Sequence, residues 1–214
     1  EDKVRIATQE LSRREVDTLF RLARAAESRD KVTGFHLPRM ARYSALIAKG
    51  YGLSAAQQEA IELAAPMHDM GNIGVPDRIL QSSHKLSQQD MEIMKTHTVI
   101  GYELLQESSS EFLQMGAIIA LGHHEKYDGS GYPNGLKGAA IPLESRIVAL
   151  ADVYDALTSI RPYKQAWNPD RAFAWMREQS GRHFDPELLE VLLRSRAEIL
   201  AITAQYADNV VKLA

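Results

Sequence analysis

The chain has no cysteine among its 214 residues. That excludes disulfides and thiolate ligands, and leaves nitrogen and oxygen as the only donors for any metal. No apolar run approaches the ~18 residues that would suggest a transmembrane helix, and no signal-peptide pattern opens the chain. A soluble, cytoplasmic protein with no membrane span in this fragment is therefore expected. A large excess of either charge is also missing. The net charge of -3 argues against a broad nucleic-acid-binding surface and leaves room for a local basic cluster that holds a small anion. Neither sustained two-residue alternation nor an internal repeat occurs, so strands and solenoids are not expected. The first residue is Glu1 rather than Met, which suggests a piece of a longer protein.

Apolar residues make up 45% of the chain, enough to bury a core as one large domain or as a domain with a helical extension. Helical spacing of apolar residues is found almost everywhere. From Thr8 to Ser28, Val16, Leu19, Phe20, Ala23 and Ala26 mark an amphipathic helix suited to a connector or a dimer contact. After Gly34, His36, Met40, Tyr43 and Ile47 share one face of a second helix ending near Gly50. Ser54 and Gln57 form a capping-box pattern for a third, in which Ile61, Ala64 and His68 line up before Gly71 stops it. His68 and Asp69 are thus expected in its last turn. Gly71 to Pro76 reads as a connector.

Ser87 and Asp90 resemble the next helix start, with Met94, His97, Gly101 and Leu104 on one face. Another helix carries Phe112, Met115 and Ile119 and runs out at His123 and His124. Four glycines and Pro133 between Asp128 and Gly138 exclude a regular element there. Pro142 opens a helix in which Asp152 and Asp155 are neighbours on one face. Asn168 with Pro169 and Asp185 with Pro186 are N-cap and proline pairs that start the last two helices.

His36, His68 with Asp69, His97, His123 with His124, and Asp152 return at intervals of roughly 30 residues, about one helix out and one back, since ~14 helical residues advance ~21 Å. These side chains would gather at one end of a bundle. Singly, His36 or His97 reads as a hydrogen-bonded core residue, and His68 beside Asp69 as an imidazole meeting a helix dipole. Jointly they point to a metal, because so many buried imidazoles and carboxylates would otherwise leave charge and donors poorly satisfied. Imidazole and carboxylate together suit divalent iron, manganese or zinc.

The strings HDMGNIGVPDRIL (68–80), HHEKYDGSGYPNGLKG (123–138), DVYDALTSIRPYK (152–164) and HFDP (183–186) closely resemble the HD-GYP domain, a branch of the HD metal-dependent phosphohydrolases. The resemblance runs from about Arg29 to about Leu193. It implies an all-α fold: an HD-domain helical bundle, here residues 29–214, preceded by an N-terminal linker or signalling helix, residues 1–28. It also implies a cyclic di-GMP phosphodiesterase that yields pGpG, and in some members GMP, through a hydroxide bridging a binuclear iron or manganese centre. Carried over by position, His36, His68 and Asp152 would hold one metal, His97, His123 and His124 the other, and Asp69 would bridge them. Some members hold a third metal with a Glu four residues before the position of His36; Val32 stands there, so two metals are expected.

The same resemblance makes Arg161 and Lys164 the grip on the substrate phosphates. Asp155 and Asp30 would orient a ligand or a water. Tyr132, within the Gly131, Tyr132 and Pro133 signature, would line the site or meet a cyclic-di-GMP-synthesising domain. The family usually has a lysine where Asn72 stands; Asn donates a hydrogen bond but no charge, so a change in activity or substrate is expected. An upstream sensory or receiver domain and a homodimer are compatible partners. The alternatives are a low-activity or non-catalytic cyclic di-GMP receptor, a hydrolase of another cyclic dinucleotide, and a plain helical bundle.

Overall fold

In the computed structural model the described residues are 17–18, 20–30, 35–160 and 165–206. Their regular elements are all helices, joined by turns and loops. One isolated bridge between Ser180 and Phe184 is the sole β pairing among the described residues. Of the helix expected from Thr8 to Ser28, residues 20–27 are helical and end in a 3-10 turn, Ser28–Asp30; Thr8 to Val16, Leu19 and Val32 lie outside the described residues.

Helix α1 (His36–Tyr51) buries Met40, Tyr43 and Ile47 on one face, as their spacing predicts, and stops where Gly52 turns left-handed at φ 96°. Helix α2 (Ala55–Ala64) begins with the capping box: the Ser54 hydroxyl accepts from the Gln57 amide, and the Gln57 side chain accepts from the Ser54 amide. It ends earlier than the periodicity suggests. Pro66 cannot donate to the helix ladder, so the chain tightens into a 3-10 turn, Ala65–Met67, and His68 caps that turn instead of lying in an α-helical last turn.

The connector is more regular than its glycines imply. Met70–Gly74 is 3-10 and Asp77–Leu80 a single turn, α3. Helices α4 (Gln88–Leu105), α5 (Glu111–Gly122), α6 (Leu143–Thr158), α7 (Pro169–Glu178) and α8 (Pro186–Arg194) follow, with Ser87, Asn168 and Asp185 as side-chain caps. The expectation that the Asp185 helix is the last fails. Ser195 breaks it, and a further helix, α9 (Arg196–Gln205), returns across α1.

The main core lies between α1, α6, α7 and α8. Tyr43 meets Tyr154 edge to face, with ring centroids 5.4 Å apart, and Tyr154 stacks on Phe173 at 5.0 Å. Each fully buried aromatic contributes roughly 2 to 3 kcal/mol. The Tyr43 hydroxyl meets the Thr203 hydroxyl at 2.8 Å and so ties α9 to α1.

A second device fixes the far end of the bundle. The 3-10 turn after Asp69 lies directly on α4, and a Cβ at Gly71 would sit 1.8 Å from the His97 carbonyl oxygen and 2.5 Å from the Gly101 amide. Only glycine allows this backbone contact, which brings Asp69 beside His97.

Candidate metal centre

His36 opens α1, His68 and Asp69 follow the end of α2, His97 lies within α4, His123 and His124 follow α5, and Asp152 lies within α6. The bundle brings all seven together as two donor groups. His36, His68 and Asp152 form one; Asp69, His97, His123 and His124 form the other. Within each, one donor atom per residue lies within 4.8 Å of the rest. Asp69 stands between them: its Oδ2 is 3.6 Å from His68 Nε2, and its Oδ1 is 3.5 Å from His97 Nε2 and 3.6 Å from His123 Nε2.

The imidazoles are oriented from behind. His68 Nδ1 donates to the Ala65 carbonyl at 2.9 Å, His97 Nδ1 to the Met94 carbonyl at 2.7 Å, and His123 Nδ1 to the carbonyls of Ile119 and Ala120. A carbonyl can only accept, so the proton of each neutral ring sits on Nδ1 and its Nε2 presents a lone pair. Those three Nε2 atoms are buried and have no hydrogen-bond partner. Burial holds His68 and His97 below the ordinary imidazole range, and burial with the neighbouring His123 and His97 holds His124 well below it. Burial would push the Asp69 carboxyl up, but the imidazoles of His68, His97 and His123 hold it well below the usual carboxylate range. Burial pushes His36 and His123 down, but the carboxylates of Asp155 and Asp69 outweigh it and raise the two imidazoles above the ordinary range. Imidazole nitrogens around an ionised carboxylate fit a divalent cation, which would take the place of those protons.

An HD domain model matches residues 15–188, most of the chain. The chain belongs to the HD domain family, in its HD-GYP branch. It is 52% identical over 207 residues to the cyclic di-GMP phosphodiesterase response regulator RpfG of Xanthomonas campestris pv. campestris, covering 97% of this chain and 55% of the relative. It is 42% identical to 3'3'-cGAMP-specific phosphodiesterase 2 of Vibrio cholerae, covering 90% and 37%. A crystal structure of a cyclic GMP-AMP specific phosphodiesterase from V. cholerae shares the fold, with a TM-score of 0.64 at 20% identity, over 89% of this chain and 51% of that one. The chain thus spans about half or less of the length of these relatives.

In this HD-GYP domain Asp155 is 1% exposed, behind the donors and not among them. It accepts from His36 Nδ1 at 2.7 Å, from Arg39 Nε at 2.5 Å and Nη2 at 3.1 Å, and from the Ser159 hydroxyl at 3.1 Å. Burial pushes the carboxyl up, yet the bonds from His36 and Arg39 bring it down to about 2. It therefore touches His36, one of the candidate donors. Arg39 and Ser159 escaped the sequence reading; the available signal was Arg39 at i+3 from His36, on the same helix face.

Tyr132 stacks on His124, centroids 4.8 Å apart, and lies 6.5 Å from the His97 ring. Its loop is folded back on the histidine pair. The Glu125 carboxylate accepts from the amides of Asn134 and Leu136 at 2.7 and 3.0 Å, and a Cβ at Gly131 would meet the Glu125 Cα at 2.5 Å. Asn72 is buried, 4% exposed, in the turn after Asp69. Asp30 ends the 3-10 turn of the linker. Arg161 and Lys164 lie outside the described residues, as does Val32.

Proposed function

We propose that this HD-GYP domain is a metal-dependent phosphodiesterase that hydrolyses cyclic di-GMP to pGpG, at a binuclear iron or manganese centre held by His36, His68 and Asp152 on one side, His97, His123 and His124 on the other, and Asp69 between. The observation that carries the reading is the set of three buried imidazole nitrogens, lone pairs outward and without a proton donor, around one ionised carboxylate. Removing so many polar atoms from water without a cation would cost several kcal/mol. A plain bundle has no use for that expense, and a pure receptor has no use for hydrolytic metals. Such cations supply Lewis acidity: they acidify water and neutralise phosphodiester charge.

The protein's own part is orientation. The backbone carbonyls behind His68, His97 and His123 fix the tautomers, and Asp155 with Arg39 fixes His36. Tyr132 offers a ring face beside His124 on which a base can stack. Arg161 would grip a phosphate as a fork and Lys164 as a point charge. Asp30 would orient a ligand or a water. Residues 1–28 would form the linker and residues 29–214 the catalytic unit, set in the cytoplasm behind a sensory or receiver domain. The GYP loop would be open to a cyclic-di-GMP-synthesising domain, and a homodimer would use the linker helix.

The test is anaerobic incubation of iron- or manganese-loaded protein with cyclic di-GMP, products resolved by chromatography, beside Asp69→Ala. Linear product from the parent alone supports the reading. Intact substrate in both samples, with metal bound, overturns it. A second reading, 3'3'-cGAMP as substrate, is favoured by the name of the 42%-identical relative and by Asn72 in place of the family's usual lysine. Parallel incubation with both dinucleotides decides between them.

A further inference from the structure

The linker helix turns one face to the bundle: Ala23, Ala26 and Glu27, at i, i+3 and i+4, are buried. Two alanines let the helix approach closely, and the third buried residue is a carboxylate. Glu27 is 9% exposed, and its Oε1 is buried without a hydrogen-bond partner. Two residues on, Arg29 seats the helix end. Its Nη1 donates to the carbonyls of Asn72 at 2.9 Å and Ile73 at 2.8 Å, and its Nη2 to the Val75 carbonyl at 2.9 Å and to Asp77 Oδ1 at 2.6 Å. The turn it grips follows directly from Asp69. Burial pushes the Glu27 carboxyl up to about 7, and the charges it feels across the gap are His36, Asp69, Asp155 and Arg39, two of them proposed metal ligands.

A buried carboxylate facing other carboxylates needs a proton or a cation. Glu27 belongs to neither donor group; the link to the centre on this side is Arg29, two residues on, which grips the turn that follows Asp69. We propose that Glu27 is an anionic partner of the metal centre, delivered by the linker helix, which strengthens the binding of the divalent cations and makes metal affinity depend on how the linker is seated. Nothing in the sequence pattern sets Glu27 apart; the sign is the orphaned oxygen. The inference rests on the binuclear reading above and adds that residues N-terminal to the catalytic unit tune it.

Metal-free parent, Glu27→Gln, Glu27→Asp and Arg29→Ala are titrated with Mn2+ against a chelating indicator, and their melting temperatures are recorded without metal. Groups behind metal ligands commonly change affinity by about 10- to 100-fold when removed. The expected result is Mn2+ binding weakened by that factor in Glu27→Gln and in Arg29→Ala, restored in Glu27→Asp, with the metal-free melting temperature of Glu27→Gln equal to or above the parent's. Unchanged affinity in Glu27→Gln overturns the proposal, and so does a lowered metal-free melting temperature with unchanged affinity, which marks a structural role. A parent that takes up no Mn2+ fails the binuclear reading itself, whereas a parent binding two ions with an indifferent Glu27→Gln fails only this inference.

Discussion

The two halves of the centre are supported differently. On one side His36 leans on a buried carboxylate, Asp155, which is itself held by Arg39 and Ser159. On the other side His97 and His123 lean on backbone carbonyls of their own helices. A carboxylate behind an imidazole makes its other nitrogen more basic; a carbonyl mainly fixes its direction. The first half therefore depends, at His36, on long-range side-chain contacts between α1 and α6, while His68 in the same half leans on the local Ala65 carbonyl; the second depends on local helix geometry and on the glycine contact that sets Asp69 against α4. Side-chain substitutions should damage the first half and backbone crowding the second.

The largest effect is expected where the halves join. Asp69→Ala removes the carboxylate shared by both, and hydrolysis should fall by at least ~1,000-fold with loss of bound metal, measured by turnover and metal content. Retention of both metals would show that the halves are independent. Next, Gly71→Ala drives a Cβ into the His97 carbonyl and should cost about 3 kcal/mol, read from denaturant unfolding, because neither backbone can yield. Metal retained on the His36 side alone would sharpen the contrast.

Asp155→Asn keeps the shape and removes the charge. It should weaken metal binding at the His36 half by about 10- to 100-fold and leave the other half nearly unchanged, by stepwise titration. Asn72→Lys, which restores a cation beside the bridge, should raise turnover on cyclic di-GMP by about tenfold; no change or a fall would remove Asn72 from the catalytic account.

The smallest effect is a pH slope. Burial and Lys126 hold His183 at about 4, below the ordinary 6.5. A neutral imidazole with a depressed pKa contributes stability that is fully present above pH 6.5 and lost as the pH falls toward 4, since the unfolded chain takes the proton first. His183→Asn should therefore flatten the stability profile of metal-free protein by about 1 kcal/mol per pH unit within that window.

Much of the fold was legible because helix signals are local. The capping box at Ser54, the caps at Ser87, Asn168 and Asp185, and the face of His36, Met40, Tyr43 and Ile47 all appear as their residue types predict. The errors lie where a local signal competes with another. Pro66 ends α2 before His68, and Ser195 divides what reads as one terminal helix. Of the site, the seven donors were legible from residue type and recurrence. Their supports were not: Arg39, Ser159, Glu125 and Arg29 are ordinary in sequence, and their partners lie far along the chain or across a loop.

The sequence by itself determined the helices, the seven donors and the order in which they recur, because caps, periodicity and donor chemistry are properties of a few neighbouring residues. The family resemblance implied how the donors divide; only the tertiary structure decided what holds them in place. That Asp155 is held by Arg39 and Ser159 where it meets His36, that Arg29 grips the turn after Asp69, and that Glu27 is buried follow from how helices distant in sequence come to lie against one another, since burial and Coulomb interaction depend on separation in space.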